Sequence, residues 1–355
     1  MASEEQILQQ LTGFKDPELG RSVVDLGQVG VNNISDDVVE LQLNLTTHSA
    51  AIWPNVQQAF SEFAQAQLTD VGDINVSFGV HERPAEKVGQ IGLTAKSIIA
   101  VGSGKGGVGK STVAASIALS LKNAGSKVGL MDADVYGPSI PQLLGVSGRP
   151  AIQDNKIEPN MADGMPVMSM GFMVGESEAV VWRGPMLHGA VTQFLKDTLW
   201  GDLDYLIIDM PPGTGDIALT LSQVVPLTGA VIVCTPQKVA LLDAAKAITM
   251  FSKVNIPILG MVENMSGFIC PDCDKRYDIF GAGGAQGVAE QIEAPFLGDI
   301  PIVPTIREHG DLGTTANNLE DPLTKEYLDA IAVSLVSNLA AKAAEEPPQP
   351  QLPVL

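Results

Sequence analysis

The sequence predicts an α/β protein: a doubly wound, mostly parallel sheet preceded by a small α+β domain. Three observations carry this expectation. After residue 97, short apolar β-prone runs alternate with helical segments, the pattern of βαβ units. The 355 residues suggest two domains rather than one. Glycine is abundant (36 residues) and aromatics are scarce (5%) in a chain that is 45% hydrophobic, which suits buried strands joined by tight turns.

The elements follow in order. Ser3 is an N-cap candidate, and Ile7, Leu8 and Leu11 continue at helical spacing. Val29–Ile34 and Val38–Leu45 read as strands joined by a hairpin turn at Asp36–Asp37. Val56–Leu68, with Phe60, Phe63 and Ala64 on one face, reads as an amphipathic helix, and Ile74–Val80 alternates like a closing strand. The order is α-β-β-α-β over residues 1–85. Residues 86–96 are polar, contain two glycines and lack a period, so they read as a linker within the irregular stretch from His81. The second domain is expected over residues 97–344. Its β-prone runs are Ile98–Val101, Val128–Met131, Tyr205–Ile208, Ala230–Val233 and Ile258–Val262. Helices are expected near Lys110–Asn123, Ala240–Lys253 and Leu323–Ala344. The last residues, 345–355, are proline-rich and read as an extended, disordered tail.

Charge narrows the function classes. Twenty-one basic against 41 acidic side chains give a net charge of −20. Broad nucleic-acid or anionic-membrane binding needs positive patches, so neither partner is expected. The acidic start, MASEEQILQQL, has no apolar core like that of a signal peptide, and no apolar run is long enough for a membrane span. Three cysteines, Cys234, Cys270 and Cys273, do not make a disulfide scaffold and point to a reducing compartment. The expected location is the cytoplasm.

Gly104-Lys105-Gly106-Gly107-Val108-Gly109-Lys110-Ser111 fits the phosphate-binding loop G-x-x-x-x-G-K-[ST], and Thr112 follows it into the helix. An apolar strand before and a helix after are the required context for a P-loop NTPase domain. Glycines let backbone N–H groups turn toward phosphates, Lys110 reaches the β- and γ-phosphates, and the Ser111 hydroxyl ligates Mg²⁺. The run Tyr205–Asp209 ends an apolar strand in an acid that would hold Mg²⁺ through a water, with 211–216 as the switch after it. Asp132 and Asp134 follow another strand. One would orient the attacking water and the other sit near the metal; Asp134 is favoured for the water and Asp132 for the metal's outer shell, and the two are interchangeable on sequence alone. Lys105 makes the loop resemble the deviant form of the MinD, ParA and nitrogenase iron-protein ATPases. That likeness implies a dimer in which this lysine reaches the partner's nucleotide.

Cys270-Pro271-Asp272-Cys273 places two thiolates within reach of one metal centre but cannot complete a four-ligand site alone. Cys234 ends an expected buried strand and reads as an inert core residue. Two-fold symmetry would bring two pairs together, for a bridging iron–sulfur cluster or for Zn²⁺; a thioredoxin-like redox pair is the remaining alternative.

Several motifs together resemble the Mrp/ApbC-type iron–sulfur cluster carrier ATPases: WRGP at 182–185, QFLKD at 193–197, WGDLDYLIID at 200–209, PPGTGD at 211–216, DADVYGPSIP at 132–141, ENMSGFICPDC at 263–273 and FGAGG at 280–284. The resemblance spans roughly residues 93–340. It implies ATP as nucleotide and a homodimer holding a labile 4Fe–4S cluster between Cys270/Cys273 pairs. It also implies transfer of that cluster to client apo-proteins, supply by upstream assembly factors, adenine contact by Asn264, and a base lined by Pro301–Pro304. The N-terminal part resembles the small iron–sulfur assembly domain often fused ahead of this ATPase, through FKDPELGRSVVDLGQV at 14–29 and LTT at 45–47. That family usually has a cysteine where Ala50 stands here, so the resemblance implies a docking or regulatory role rather than a thiol-dependent one. Other function classes are a MinD/ParA-like positioning switch and a zinc- or metal-inserting NTPase chaperone. The positioning switch leaves the cysteine pair unexplained. His48, His188 and His309 read as core or surface residues.

Overall fold

The protein is described by a computed structural model covering residues 3–35, 38–69, 71–135, 137–173, 184–213, 215–273 and 275–346. The chain forms two compact units: Met1–Pro84 with Ala124–Ser126 and Val336–Leu355, and Ala85–Asn123 with Lys127–Leu335.

The first unit runs α1 (Glu4–Leu11), β1 (Val29–Ile34), β2 (Val38–Leu45), α2 (Trp53–Gln67) and β3 (Asp73–Val80). Ser3 caps α1: its hydroxyl accepts from Gln6 N at 3.3 Å and the Gln6 side chain accepts from Ser3 N at 2.9 Å. In the sheet, β2 lies between an antiparallel β1 and a parallel β3. Its alternate residues Val39, Leu41, Leu43 and Leu45 are buried, and they join one core with Ile7, Leu11, Phe60 and Ala64. Phe14 meets Phe60 edge-on at 5.0 Å. The helix α2 starts at Trp53, ahead of the expected Val56, because Pro54 supplies a fixed φ suited to a first turn. The expected turn at Asp36–Asp37 lies outside the described residues.

From residue 85 the elements are β4 (Lys87–Val88), β5 (Leu93–Gly102), α3 (Lys110–Ala124), β6 (Val128–Asp132), α4 (Ile140–Leu144), β7 (Ala151–Gln153), β8 (Lys156–Glu158), β9 (Asn160–Ala162), β10 (Met165–Ser169), α5 (Gly184–Asp197), β11 (Leu203–Asp209), α6 (Gly215–Val224), β12 (Gly229–Cys234), α7 (Lys238–Lys253), β13 (Ile258–Ile269), β14 (Arg276–Tyr277), α8 (Gly284–Gln291), β15 (Phe296–Ile302), α9 (Pro304–Leu312) and α10 (Pro322–Glu345). The main sheet has the order β14-β13-β12-β5-β11-β6-β10-β9, with β15 on β13 and β4 on β5. The neighbours from β13 through β10 are parallel, as is β15, while β14, β9 and β4 pair antiparallel. The chain passes from β5 to β6 on one side and later to β12 on the other, so the winding reverses at β5. The crevice beyond the carboxyl ends of β5 and β11 is therefore the place where such sheets bind ligands.

In this second unit two boundaries differ from the sequence reading by several residues. The strand β5 begins at Leu93, inside the stretch read as linker. Lys96 conceals it, because its charge is paired with Asp204 at 3.0 Å. The strand β13 runs on to Ile269 rather than stopping at Val262, and so delivers both Asn264 and the first cysteine. Tyr136, Trp182, Arg183, Thr214 and residues 347–355, within the quoted motifs and the expected tail, lie outside the described residues. Among the described residues, no helix is long and apolar enough to cross a membrane.

Candidate nucleotide site and cysteine hairpin

The phosphate loop bridges β5 and α3 at the topological switch. Gly107 and Gly109 both adopt φ +78°, a left-handed conformation that costs glycine little. Gly104 is required for a different reason: a Cβ there would lie 2.1 Å from the Asp243 backbone in α7. Asn264 Nδ2 donates to Val108 O at 2.9 Å, tying the loop to β13. The Ser103 hydroxyl donates to Lys105 O at 2.9 Å, and Gly213 N to Ser103 O at 2.9 Å, so the segment after β11 is fastened to the same loop.

Lys110 is buried at the mouth of this loop. Its ammonium forms an ion pair with Asp209, lies 3.9 Å from Asp134 Oδ2, and donates to Ser111 Oγ at 3.2 Å. Burial raises the Asp209 pKa, and the Lys110 charge opposes that rise. Asp209 Oδ2 is buried and has no hydrogen-bond partner among the described residues. An orphaned carboxylate oxygen beside the Ser111 hydroxyl is a hard oxygen donor set of the kind Mg²⁺ takes, so these residues fit that ion. Lys105 is half-buried in the loop.

The two acids after β6 are placed differently. Asp132 is fully buried, and both its oxygens are used: Oδ1 accepts from Asp134 N at 3.0 Å, and Oδ2 from Ile140 N at 3.2 Å and Ser169 Oγ at 3.0 Å. Burial first, and Asp209 second, push its pKa up to about 7. Asp132 thus holds Asp134, Ile140 and Ser169 together, whereas Asp134 stands beside Lys110.

A cavity of about 610 Å³ adjoins the loop. Gly109, Thr112, Asn264, Pro301 and Ile302 help line it, as do Met265 and Phe280. Of the two prolines that the resemblance assigns to the base, Pro301 lines this cavity and Pro304 does not. It opens α9, where its ring starts the helix and the chain turns away, and Val303 and Ile306 face the cavity instead. Met265 and Phe280 belong to the quoted runs 263–273 and 280–284 but were given no role of their own there, and Ile306 lies in no quoted motif.

The strand β13 then leads into the cysteines. Phe268 and Ile269 pair with Tyr277 and Arg276 of β14, so Cys270-Pro-Asp-Cys273 forms the tip of a hairpin. Cys270 N donates to Lys275 O at 3.1 Å. Cys270 is half-buried and Cys273 exposed. Among the described residues, no group of three or more Cys, His, Asp or Glu could hold a metal within one chain. Cys234 is buried at the end of β12, its thiol pushed up to about 12 by burial and by Glu263. His48 lies buried in the turn before α2, His188 Nδ1 is 3.1 Å from Thr220 Oγ1, and His309 Nδ1 is 2.8 Å from Asn318 Oδ1. None of the three lines the cavity.

This arrangement matches known proteins along nearly the whole chain. Residues 94–336 match the family described as NUBPL iron-transfer P-loop NTPase, and residues 4–78 match the iron–sulfur cluster assembly protein family. An iron–sulfur cluster carrier protein of Deinococcus radiodurans is 45% identical over 98% of this chain and 99% of its own. One from Synechocystis is 44% identical over 97% and 99%. Among solved structures, a nucleotide-binding protein of Archaeoglobus fulgidus in complex with ADP aligns with a TM-score of 0.58 and 41% identity, covering 66% of this chain and 92% of that one. With its phosphate loop, its cysteine hairpin and these relatives, the chain belongs to the iron-transfer P-loop NTPases, with an iron–sulfur cluster assembly domain at its N-terminal end.

Proposed function

We propose that the protein is an iron–sulfur cluster carrier that binds and hydrolyses ATP. In this reading it holds a 4Fe–4S cluster between the Cys270/Cys273 hairpins of two copies and passes it to apo-proteins in the cytoplasm. The observation that carries the reading is the incomplete thiol pair at the end of β13, the strand that also supplies Asn264 to the nucleotide site. Two cysteines supply half of a Cys₄ site, and a second copy supplies the rest.

The phosphate loop amides of Gly104, Gly106, Gly107, Val108 and Gly109 cradle the phosphates, with Ser111 and Thr112 at the positive end of α3. Lys110 neutralises the β- and γ-phosphates, Lys105 reaches toward the partner's nucleotide, and Asp134 orients the attacking water. Ser111 and Asp209 hold Mg²⁺, which supplies charge neutralisation at the transferring phosphoryl group; Asp132 supports them through its contacts with Asp134, Ile140 and Ser169. Positioning and charge stabilisation account for most phosphoryl-transfer catalysis, so slow turnover without a partner is expected. The N-terminal unit, with Ala50 in place of a thiol, acts in docking clients or upstream assembly factors.

The test is anaerobic reconstitution with iron and sulfide, read by absorption and electron paramagnetic resonance. The wild type is expected to load one cluster per two chains, and Cys270→Ala/Cys273→Ala none. An equal cluster in the double variant, or zinc as the sole metal retained, overturns the carrier reading.

A further inference from the structure

The cysteine hairpin and the nucleotide cavity share a frame. Asn264 and Met265 line the cavity immediately before the hairpin's first arm, and Phe280 lines it just after the second. The cavity therefore touches both ends of the segment 266–279 that carries Cys270 and Cys273. Met265 has φ +57°, a left-handed conformation uncommon outside glycine, and the β13–β15 register shifts between Asn264 and Phe268. The ladder is thus broken where the cavity ends and the hairpin begins, and it resumes at Phe268 opposite Ile302.

One buried group holds this junction. Glu263 is fully buried, one residue before Asn264, and lines neither the cavity nor the thiol site. Its Oε1 accepts from Ser266 Oγ at 2.8 Å and from Gly283 N at 2.7 Å, and its Oε2 from Ala285 N at 2.6 Å. The carboxylate therefore joins the first arm of the hairpin to the chain beyond the second arm and to the start of α8. Arg276 extends the brace: its Nη2 donates to Ser266 O at 2.8 Å and lies 3.2 Å from Asp299 Oδ2.

We propose that Glu263 is a positioning residue that couples nucleotide occupancy to the cysteine hairpin, by making Ser266, Gly283 and the two cavity-lining ends of the hairpin move as one body. This rests on the carrier reading only in taking the cavity as a nucleotide site. A coupling between two sites is a differential free energy, so it must appear as a change at one site when the other is filled.

The experiment uses the full chain without cluster. Alkylation of Cys270 and Cys273 by iodoacetamide is followed site by site by mass spectrometry, with and without saturating Mg·ADP, and nucleotide binding is measured separately by calorimetry. In the wild type, nucleotide is expected to change the labelling rate at these two thiols about fivefold or more. In Glu263→Gln, where an amide N–H would face the Ala285 N–H, binding should persist and the rate change should shrink to within about twofold. Arg276→Gln, a change at a part-exposed side chain that leaves the core intact, should reduce it in the same direction. Binding without any rate change in the wild type, or an undiminished change in both variants, overturns the proposal while leaving the carrier reading standing. Absence of nucleotide binding in the wild type overturns both.

Discussion

Asp132 and Asp209 are Cα partners on the neighbouring strands β6 and β11, yet their oxygens are spent differently. Among the described residues, Asp209 keeps one buried oxygen without a hydrogen-bond donor, whereas both oxygens of Asp132 accept, from Asp134 N, Ile140 N and Ser169 Oγ. The sequence marks Asp209 for the metal and leaves Asp132 and Asp134 interchangeable; only the packing shows that both Asp132 oxygens are already engaged. The difference has a pH signature. The Asp132 pKa is raised from 3.8 to about 7, so the folded chain holds this proton more tightly than the unfolded chain. Its contribution to stability is full below pH 3.8, declines as the pH rises, and is gone above about 7. Urea unfolding of the nucleotide-free protein should therefore show a falling stability across this window, and Asp132→Asn should flatten that slope. An unchanged slope in the variant would show that another group carries it.

At the scale of elements, the N-terminal unit was the most legible part. The alternation of Val39, Leu41, Leu43 and Leu45 has period two and buries all four; of the helical face Phe60, Phe63 and Ala64, Phe60 and Ala64 are buried and Phe63 is half-buried. Phe60 sits at the centre of that core, fully buried beneath Phe14. Phe60→Ala should cost about 3–5 kcal/mol, measured by denaturant unfolding of the full chain; a loss below about 1 kcal/mol would mean that the core collapses around the gap. The start of β5 and the end of β13 were less legible, for opposite reasons. Lys96 looks like a linker residue until Asp204 is seen beside it. Residues 263–269 look like a loop because Met265 and Gly267 take positive φ within a strand that resumes its pairing at Phe268. In both cases a partner distant in sequence decides the local structure. The small strands β7 to β9 and the helices α8 and α9 are short, so few repeats of any period were there to announce them.

At the scale of the molecule, the incomplete ligand set makes chain concentration a variable. A cluster held by two hairpins has two chains on one side of its equilibrium, whereas a site complete in one chain has one. The net charge of −20 adds a repulsion between copies that salt would screen. Dilution of reconstituted protein at fixed free iron and sulfide then distinguishes the two arrangements. For a bridging cluster, occupancy per chain should fall on about tenfold dilution near the dissociation midpoint and recover on reconcentration, with the loss lessened at higher salt. For a one-chain site, occupancy per chain should not move. The readout is the cluster's absorption per chain in cells of matched optical density, with iron analysis of the same samples. Because both occupancy and self-association are followed, occupancy that stays constant over a dilution range in which the chains separate into monomers would show that the pairing of Cys270 and Cys273 across two copies is wrong.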